Sequence, residues 1–255
     1  MKFAIVSSKQ DKAGMNITSF LPDLIPIHYV DCKIVHAENI DKKDEIEDAD
    51  FIIFTSKHVG KKPKMLSLHA PGNWKQADYG GKEGKICKTS GTVLKTLFQE
   101  MSKNLPSGWE LTLEVTHHGP FIEKPCCFIE IGSNEEDWRK KEAGKALAIA
   151  IENAIKILNK QKIKYKTVIG IGGPHYCPSM TKIQLNSDIA ISHIIPQYVF
   201  PITENMISQA LKKTEEKVSF AIIDWKGLDS EERKQTIDLL NKINLEYKKT
   251  SEIEK

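Results

Sequence analysis

The sequence predicts a single-domain α/β fold, a central mixed sheet flanked by helices on both faces, and three observations carry that prediction. Short apolar runs end in small polar residues, they alternate with segments of helical period, and no Gly/Ser-rich or Pro-rich linker divides the chain. Residues 1–255 therefore read as one domain. A chain of this size can close a large core, since about 300 residues hide roughly three quarters of their unfolded surface.

KFAIVSS at residues 2–8 reads as the first strand, and DADFIIFTSKH at 48–58 repeats its form between an acidic flank and a basic loop. GNWKQADYGGKEGK at 72–85 reads as a surface loop. After Ser90, the residues Val93, Leu94, Leu97, Phe98 and Met101 fall on one helical face. In WELTLEVTHHG, Leu111, Leu113 and Val115 alternate with Thr112, Glu114 and Thr116, the period of a strand, which sets Glu114 on a polar, solvated face. CCFIEIGS at 126–133 is a further strand. The helix after it is expected to start in a capping box of Ser133 and Glu136 and to carry Ala146, Ala150, Ala154 and Leu158 to about residue 160. YKTVIGIGG and VSFAIIDW are later strands, and 203–213 and 230–244 are later helices.

Composition narrows the function classes. With 40% apolar and 28% charged residues and no apolar run near the roughly 20 residues of a membrane helix, a membrane-spanning protein is excluded. The first apolar run is too short for a secretory signal, so a cytoplasmic location is expected. The five cysteines, Cys32, Cys87, Cys126, Cys127 and Cys177, lack CxxC spacing and read as reduced thiols. A formal charge of +3 does not by itself indicate a nucleic-acid partner, so that case rests on local lysine clusters. A monomer is the expected state.

Residues able to do chemistry cluster where strands are expected to end: His58, His117, His118, His175 and His193. Imidazole suits zinc, and Glu114 or Glu130 could complete a site or orient a ligand. Adjacent strand residues face opposite sides, so His117 and His118 can share one metal only if the chain turns there, as Gly119 and Pro120 allow. The plainer alternative is one buried, hydrogen-bonded histidine and one exposed. Glu130 lies among Phe128, Ile129 and Ile131, so in a central strand it must be paired, hydrogen-bonded or protonated. Gly172 and Gly173 could bring main-chain N–H groups to an oxyanion or a phosphate, or simply make a tight turn. Tyr176 adds a stacking or hydrogen-bonding group, and Cys177 is either a soft ligand or packing. Lys57, Lys61, Lys62 and Lys64, with Trp74, Lys75 and Tyr79 further on, could hold phosphates and stack an unpaired base, or form a solvated loop.

The ordered set SSKQDKAGMNI, FTSKHVGKKPKMLSLHAPGNW, EVTHHGP, FIEIGSNEEDW, GIGGPHY and SHIIPQY resembles the archaeal and plant type of D-aminoacyl-tRNA deacylase over nearly the whole chain. The resemblance implies an enzyme that hydrolyses the ester joining a D-amino acid to the terminal ribose of tRNA. It further implies zinc dependence, a cytosolic location, and a fold similar to phosphorylase and peptidyl-tRNA hydrolase folds. It carries over His58, His69, His117, His118, His175 and His193, with Asp11, Glu114 and Glu130, but not their separate roles. Side-chain chemistry then assigns metal binding to His58, His117, His175, His193 and Glu114, and catalysis to His117, His118 and Glu130. Binding of the tRNA acceptor end falls to Lys57, Lys61, Lys62, Gly172, Gly173 and Tyr176. Three other readings stay open: assistance by the ribose 2′-OH without a metal in the bond-breaking step, a tRNA-end binding module without turnover, and a metalloamidohydrolase for small substrates.

Overall fold

The computed structural model describes residues 1–253. Apolar runs become buried strands as expected, and the strands divide between two sheets. The first contains β1 (Phe3–Ser8), β2 (Ile27–Val30), β3 (Phe51–Lys57), β4 (Met65–His69), β5 (Glu110–Leu113) and β6 (Cys126–Gly132), in the order β2-β1-β3-β6-β4-β5. It is mixed, because β4 runs antiparallel to β6 while the other pairings are parallel. The second contains β7 (Lys166–Ile171), β8 (Ile189–Ile195), β9 (Phe220–Ile223) and β10 (Tyr247–Lys249), all parallel in the order β10-β9-β7-β8.

The helices are α1 (Lys12–Thr18), α2 (Asp44–Glu47), α3 (Gly91–Lys103), α4 (Glu135–Trp138), α5 (Lys141–Lys160), α6 (Pro178–Asn186), α7 (Glu204–Lys212) and α8 (Ser230–Lys242). Strand alternation decides what each face meets. Phe3, Ile5, Phe51, Ile53, Cys127 and Ile129 pack with Ile17 of α1, Leu97 and Phe98 of α3 and Leu147 and Ile151 of α5. The opposite face turns Val6, Ile52, Phe54, Cys126 and Phe128 toward Ile34, Ile40 and Ile46. In the second sheet Ile169, Ile171, Ala221 and Ile223 pack under Met206 and Ile207 of α7 and Leu240 of α8.

Two features place the site. The Glu114 amide still donates to the Leu68 carbonyl of β4 at 3.1 Å, and the next residues bond toward the second sheet: the Val115 amide donates to the His175 carbonyl beyond β7 at 3.0 Å, and the Thr116 amide to the Ile194 carbonyl of β8 at 3.1 Å. Strand ends of both sheets thus meet along one seam. The expected helix after β6 is also different in detail. Asn134, not Ser133, is the cap, its side chain accepting from the Glu136 and Asp137 amides, and the helical run breaks between Trp138 and Lys141. Ser133 is occupied elsewhere, its hydroxyl donating to the Lys62 carbonyl and its amide to Asp137 at 3.2 Å. Short α4 therefore clamps the 58–64 loop: Asp137 also accepts from the Lys64 amide at 3.1 Å, and the Trp138 indole donates to the His58 carbonyl at 2.9 Å.

Candidate active site

Glu130 shows how the sheet builds the site. On β6 it lies on the same face as Cys126 and Phe128, opposite Ser56 of β3 and Ser67 of β4, so the row that fills the core at one end carries a carboxylate at the other. On β4, His69 lies across from Phe128 and stacks on it, ring centroids 5.3 Å apart and planes at 6°. His58 follows β3, Glu114 to His118 follow β5, and His175 and Tyr176 follow β7.

Two buried carboxylates gather the imidazoles. Glu114 is 2.8 Å from His175 Nε2, 3.1 Å from His58 Nδ1 and 3.5 Å from His117 Nε2. Glu130 is 3.6 Å from His58 Nδ1, 3.8 Å from His118 Nε2 and 3.9 Å from His69 Nε2. His58 lies between both. The expectation of a solvated Glu114 is overturned, because its side chain is fully buried: it still bonds to β4, but the face it presents is covered by His58, His117 and His175 rather than by water.

Charge follows from these contacts. Burial would raise both carboxyls, but the imidazoles beside them outweigh it, His175 and His58 at Glu114 and His118, His58 and His69 at Glu130. Both stay ionised, well below the usual carboxylate range. Burial works against a charged His58, yet the two carboxylates prevail and raise it to about 11. His117 is pushed well down by burial and by the neighbouring imidazoles, so it is neutral.

The ring orientations add a second constraint. His69 Nδ1 lies 3.2 Å from the Ala70 carbonyl, His117 Nδ1 2.9 Å from that of Val115, and His118 Nδ1 2.7 Å from that of Gly119. A carbonyl only accepts, so Nδ1 carries a hydrogen in each ring and Nε2 is the atom left to face the carboxylates. Those Nε2 atoms are directed at carboxylate oxygens. Buried His69 Nε2 and Glu114 Oε1 have no hydrogen-bond partner. Imidazole nitrogens held this close to two ionised carboxylates in a buried cleft are stabilised by a cation between them, a proton or a metal ion. Donor atoms converge accordingly: His69, His117 and His118 form one group, His58, Glu114 and His175 a second, and His69, Glu114 and Glu130 a third, each with its atoms within 4.8 Å of one another. N and carboxylate O donors of this kind suit zinc.

The turn required for His117 and His118 to share one site is present: His118 has left-handed backbone, φ 44°, and the two ring centroids are 4.3 Å apart. Neither is simply exposed. Tyr176 stands beside His58 and His175 with its hydroxyl 2.9 Å from His58 Nε2, and Gly60 makes room for that contact, since a Cβ there would lie 2.6 Å from the hydroxyl.

Several expected residues do not join the cluster. His193 lies inside β8, not beyond its end, with Nδ1 3.2 Å from the Thr116 hydroxyl and Nε2 3.3 Å from the Lys213 carbonyl. Both ring nitrogens are engaged, and burial lowers it to about 4. It is a structural residue that ties β8 to the 115–118 segment. His193→Ala is therefore expected to leave bound metal unchanged and to cost about 1–3 kcal/mol of stability, checked by denaturant unfolding beside metal analysis. The Gly172 amide donates to the Ile195 carbonyl at 2.8 Å and is not free for an oxyanion, and the Gly173 carbonyl accepts from the Gln197 amide at 3.0 Å. This glycine pair makes a turn, with φ of 91° and 86°. Cys177 is buried, its thiol directed at the Leu113 and His175 carbonyls, and burial pushes it well up, so it packs and does not ligate. Asp11 caps α1 and accepts from Ser56 and the Lys57 amide.

The lysine loop opens at His58. Lys57 lies over the Trp138 ring at 4.9 Å, Lys62 pairs with Glu110, and Lys61 is exposed. His69 was missing from the assigned roles because β4 was not read as a strand; the alternation of Met65, Ser67 and His69 with Leu66 and Leu68 was its signal.

The model of the D-aminoacyl-tRNA deacylase family matches residues 45–248. D-aminoacyl-tRNA deacylases from Pyrococcus furiosus and Methanococcus vannielii are similar. The first is 36% identical over 93% of this chain and 84% of its own length; the second is 31% identical over 98% and 100%. The crystal structure of a conserved protein of unknown function, AF0625, superposes with a TM-score of 0.91 at 30% identity, covering 99% of this chain and 96% of that one. Matched in sequence over most of its length and in structure over nearly all of it, the chain belongs to the D-aminoacyl-tRNA deacylase family.

Proposed function

We propose that the chain releases D-amino acids from tRNA by zinc-assisted hydrolysis of the ester to the terminal ribose, and so proofreads aminoacyl-tRNA by chirality. Family membership makes it a hydrolase of the aminoacyl-tRNA ester. The observation that carries the metal part is the convergence of imidazole nitrogens on two buried, ionised carboxylates. Zinc would draw its ligands from His58, His69, His117, His118, His175 and Glu114. When bound, zinc lowers the pKa of water toward about 7 and polarises the carbonyl under attack.

The chain's own residues supply the rest. With Glu114 committed as a ligand, Glu130 takes the proton from the attacking water, and its return to the leaving ribose oxygen completes cleavage of the acyl C–O bond. Tyr176 holds the His58 ring by its hydroxyl, while the backbone carbonyls of Ala70, Val115 and Gly119 fix three other rings. The lysine loop beside His58 offers positive charge to acceptor-stem phosphates. Selection of the D form follows from where the side chain and the amino group can fit against these walls.

No helix of the described residues is long and apolar enough to cross a membrane. A tRNA substrate supports a cytoplasmic location.

The test is hydrolysis of matched D- and L-aminoacyl-tRNA by purified protein, with and without chelator, metal content being measured on the same samples. Only the D substrate is expected to turn over, and only with metal. Equal rates on both enantiomers remove the proofreading role, and full activity in metal-free protein removes zinc.

A further inference from the structure

We propose that a cavity of about 410 Å³ next to the histidine cluster receives the 3′-terminal adenosine nucleotide, with its base inside and its phosphate at the rim. This rests on the aminoacyl-tRNA reading and locates the nucleotide that carries the ester.

Position is the first argument. Phe121 lines the cavity and follows His118 by three residues, a reach of at most about 11 Å of extended chain. The opposite wall, Gly80 and Gly81, lies against the same segment: the Gly119 amide donates to the Tyr79 carbonyl at 2.9 Å, and a Cβ on Gly81 would come within 3.1 Å of Gly119 Cα. Cavity and candidate active site therefore share the 118–121 segment.

Chemistry is the second. Phe121 has two ammonium groups near its ring, Lys82 Nζ at 4.6 Å and Lys213 Nζ at 5.4 Å from the centroid. An aromatic plane among cations is how single-stranded nucleic acid is bound, the base stacking and the backbone meeting positive charge. Charge then decides which part enters. Glu38 lines the cavity and accepts from the Gly81 amide at 3.0 Å and the Phe121 amide at 3.1 Å. Asp41 accepts from the Glu123 amide at 2.9 Å. These carboxylates repel a phosphate, but they and Asn39 can meet the amino group and ring nitrogens of a neutral adenine. Lys42 and Lys82, both exposed, remain at the rim for phosphate.

AMP is the probe, titrated into metal-replete protein by calorimetry and added as a competitor of D-aminoacyl-tRNA hydrolysis. AMP is expected to bind and compete, and UMP to bind about tenfold more weakly; Phe121→Leu should weaken AMP and raise KM for the tRNA by about tenfold each. Lys82→Ala, at an exposed position, should weaken both in the same direction and decides the matter if the Phe121 variant does not fold. Absence of AMP binding, UMP binding as tight as AMP, or AMP affinity unchanged in the folded variants would overturn the proposal. Wild-type protein that binds AMP but leaves D-aminoacyl-tRNA intact would instead overturn the hydrolase reading.

Discussion

Glu114→Gln is expected to lower turnover of D-aminoacyl-tRNA by about 10³-fold and to lower bound metal with it, while leaving the fold intact. The substitution keeps volume and removes only the charge. Glu114 is fully buried, contacts His58, His117 and His175, and belongs to two of the three candidate ligand groups, so its charge links much of the cluster. An amide there would present an N–H₂ or a weaker oxygen donor to imidazoles arranged for a carboxylate. Rate measurement, metal analysis and far-UV circular dichroism on one preparation check it. A variant that keeps its metal and works within tenfold of wild type would remove Glu114 from the metal site.

That the largest expected loss falls on Glu114 indicates where sequence reading reaches its limit. Alternation in 109–119 correctly marks a strand, yet the period of two has meaning only while the strand stays in its sheet. Val115 and Thr116 bond to the other sheet, so Glu114 occupies the seam and not a solvated face. Glu130 was legible because β6 is central, and a carboxylate between Ile129 and Ile131 must have partners. His193 misled for a related reason: a histidine in an apolar run looks the same whether it lies within a strand or at its end, and only the register with Thr116 distinguishes them. The helix after β6 shows a local competition. Asn134 and Ser133 can both cap, and the demand of the 58–64 loop for the Ser133 hydroxyl leaves the cap to Asn134. The core of the fold was legible throughout β1, β3 and β6, where runs of buried residues need no knowledge of distant partners.

Metal-free protein is expected to lose stability as pH rises from 6.5 to about 8, by up to about 1.4 kcal/mol per pH unit. His58 is the cause. Its folded value is raised from 6.5 to about 11, so in this window the folded chain keeps a proton that the unfolded chain releases. A raised folded value gives stability that is complete below 6.5 and declines above it. Other groups bound the window on either side. His193, lowered to about 4 by burial, and His117, lowered as well, make stability rise with pH up to 6.5. Lys95, lowered to about 8 by burial, makes stability rise again beyond that point and opposes His58. Glu114 and Glu130 lie well below 4.5; their contribution is complete above that value and is lost only in stronger acid. Urea unfolding of metal-free protein across the window measures the slope, and His58→Gln should flatten it. Metal-replete protein should show a smaller slope, because a cation held at His58 displaces the proton that produces it. A flat profile in metal-free wild type would mean that His58 does not hold a proton between the two carboxylates, and the charge argument for a cation there would lose its basis.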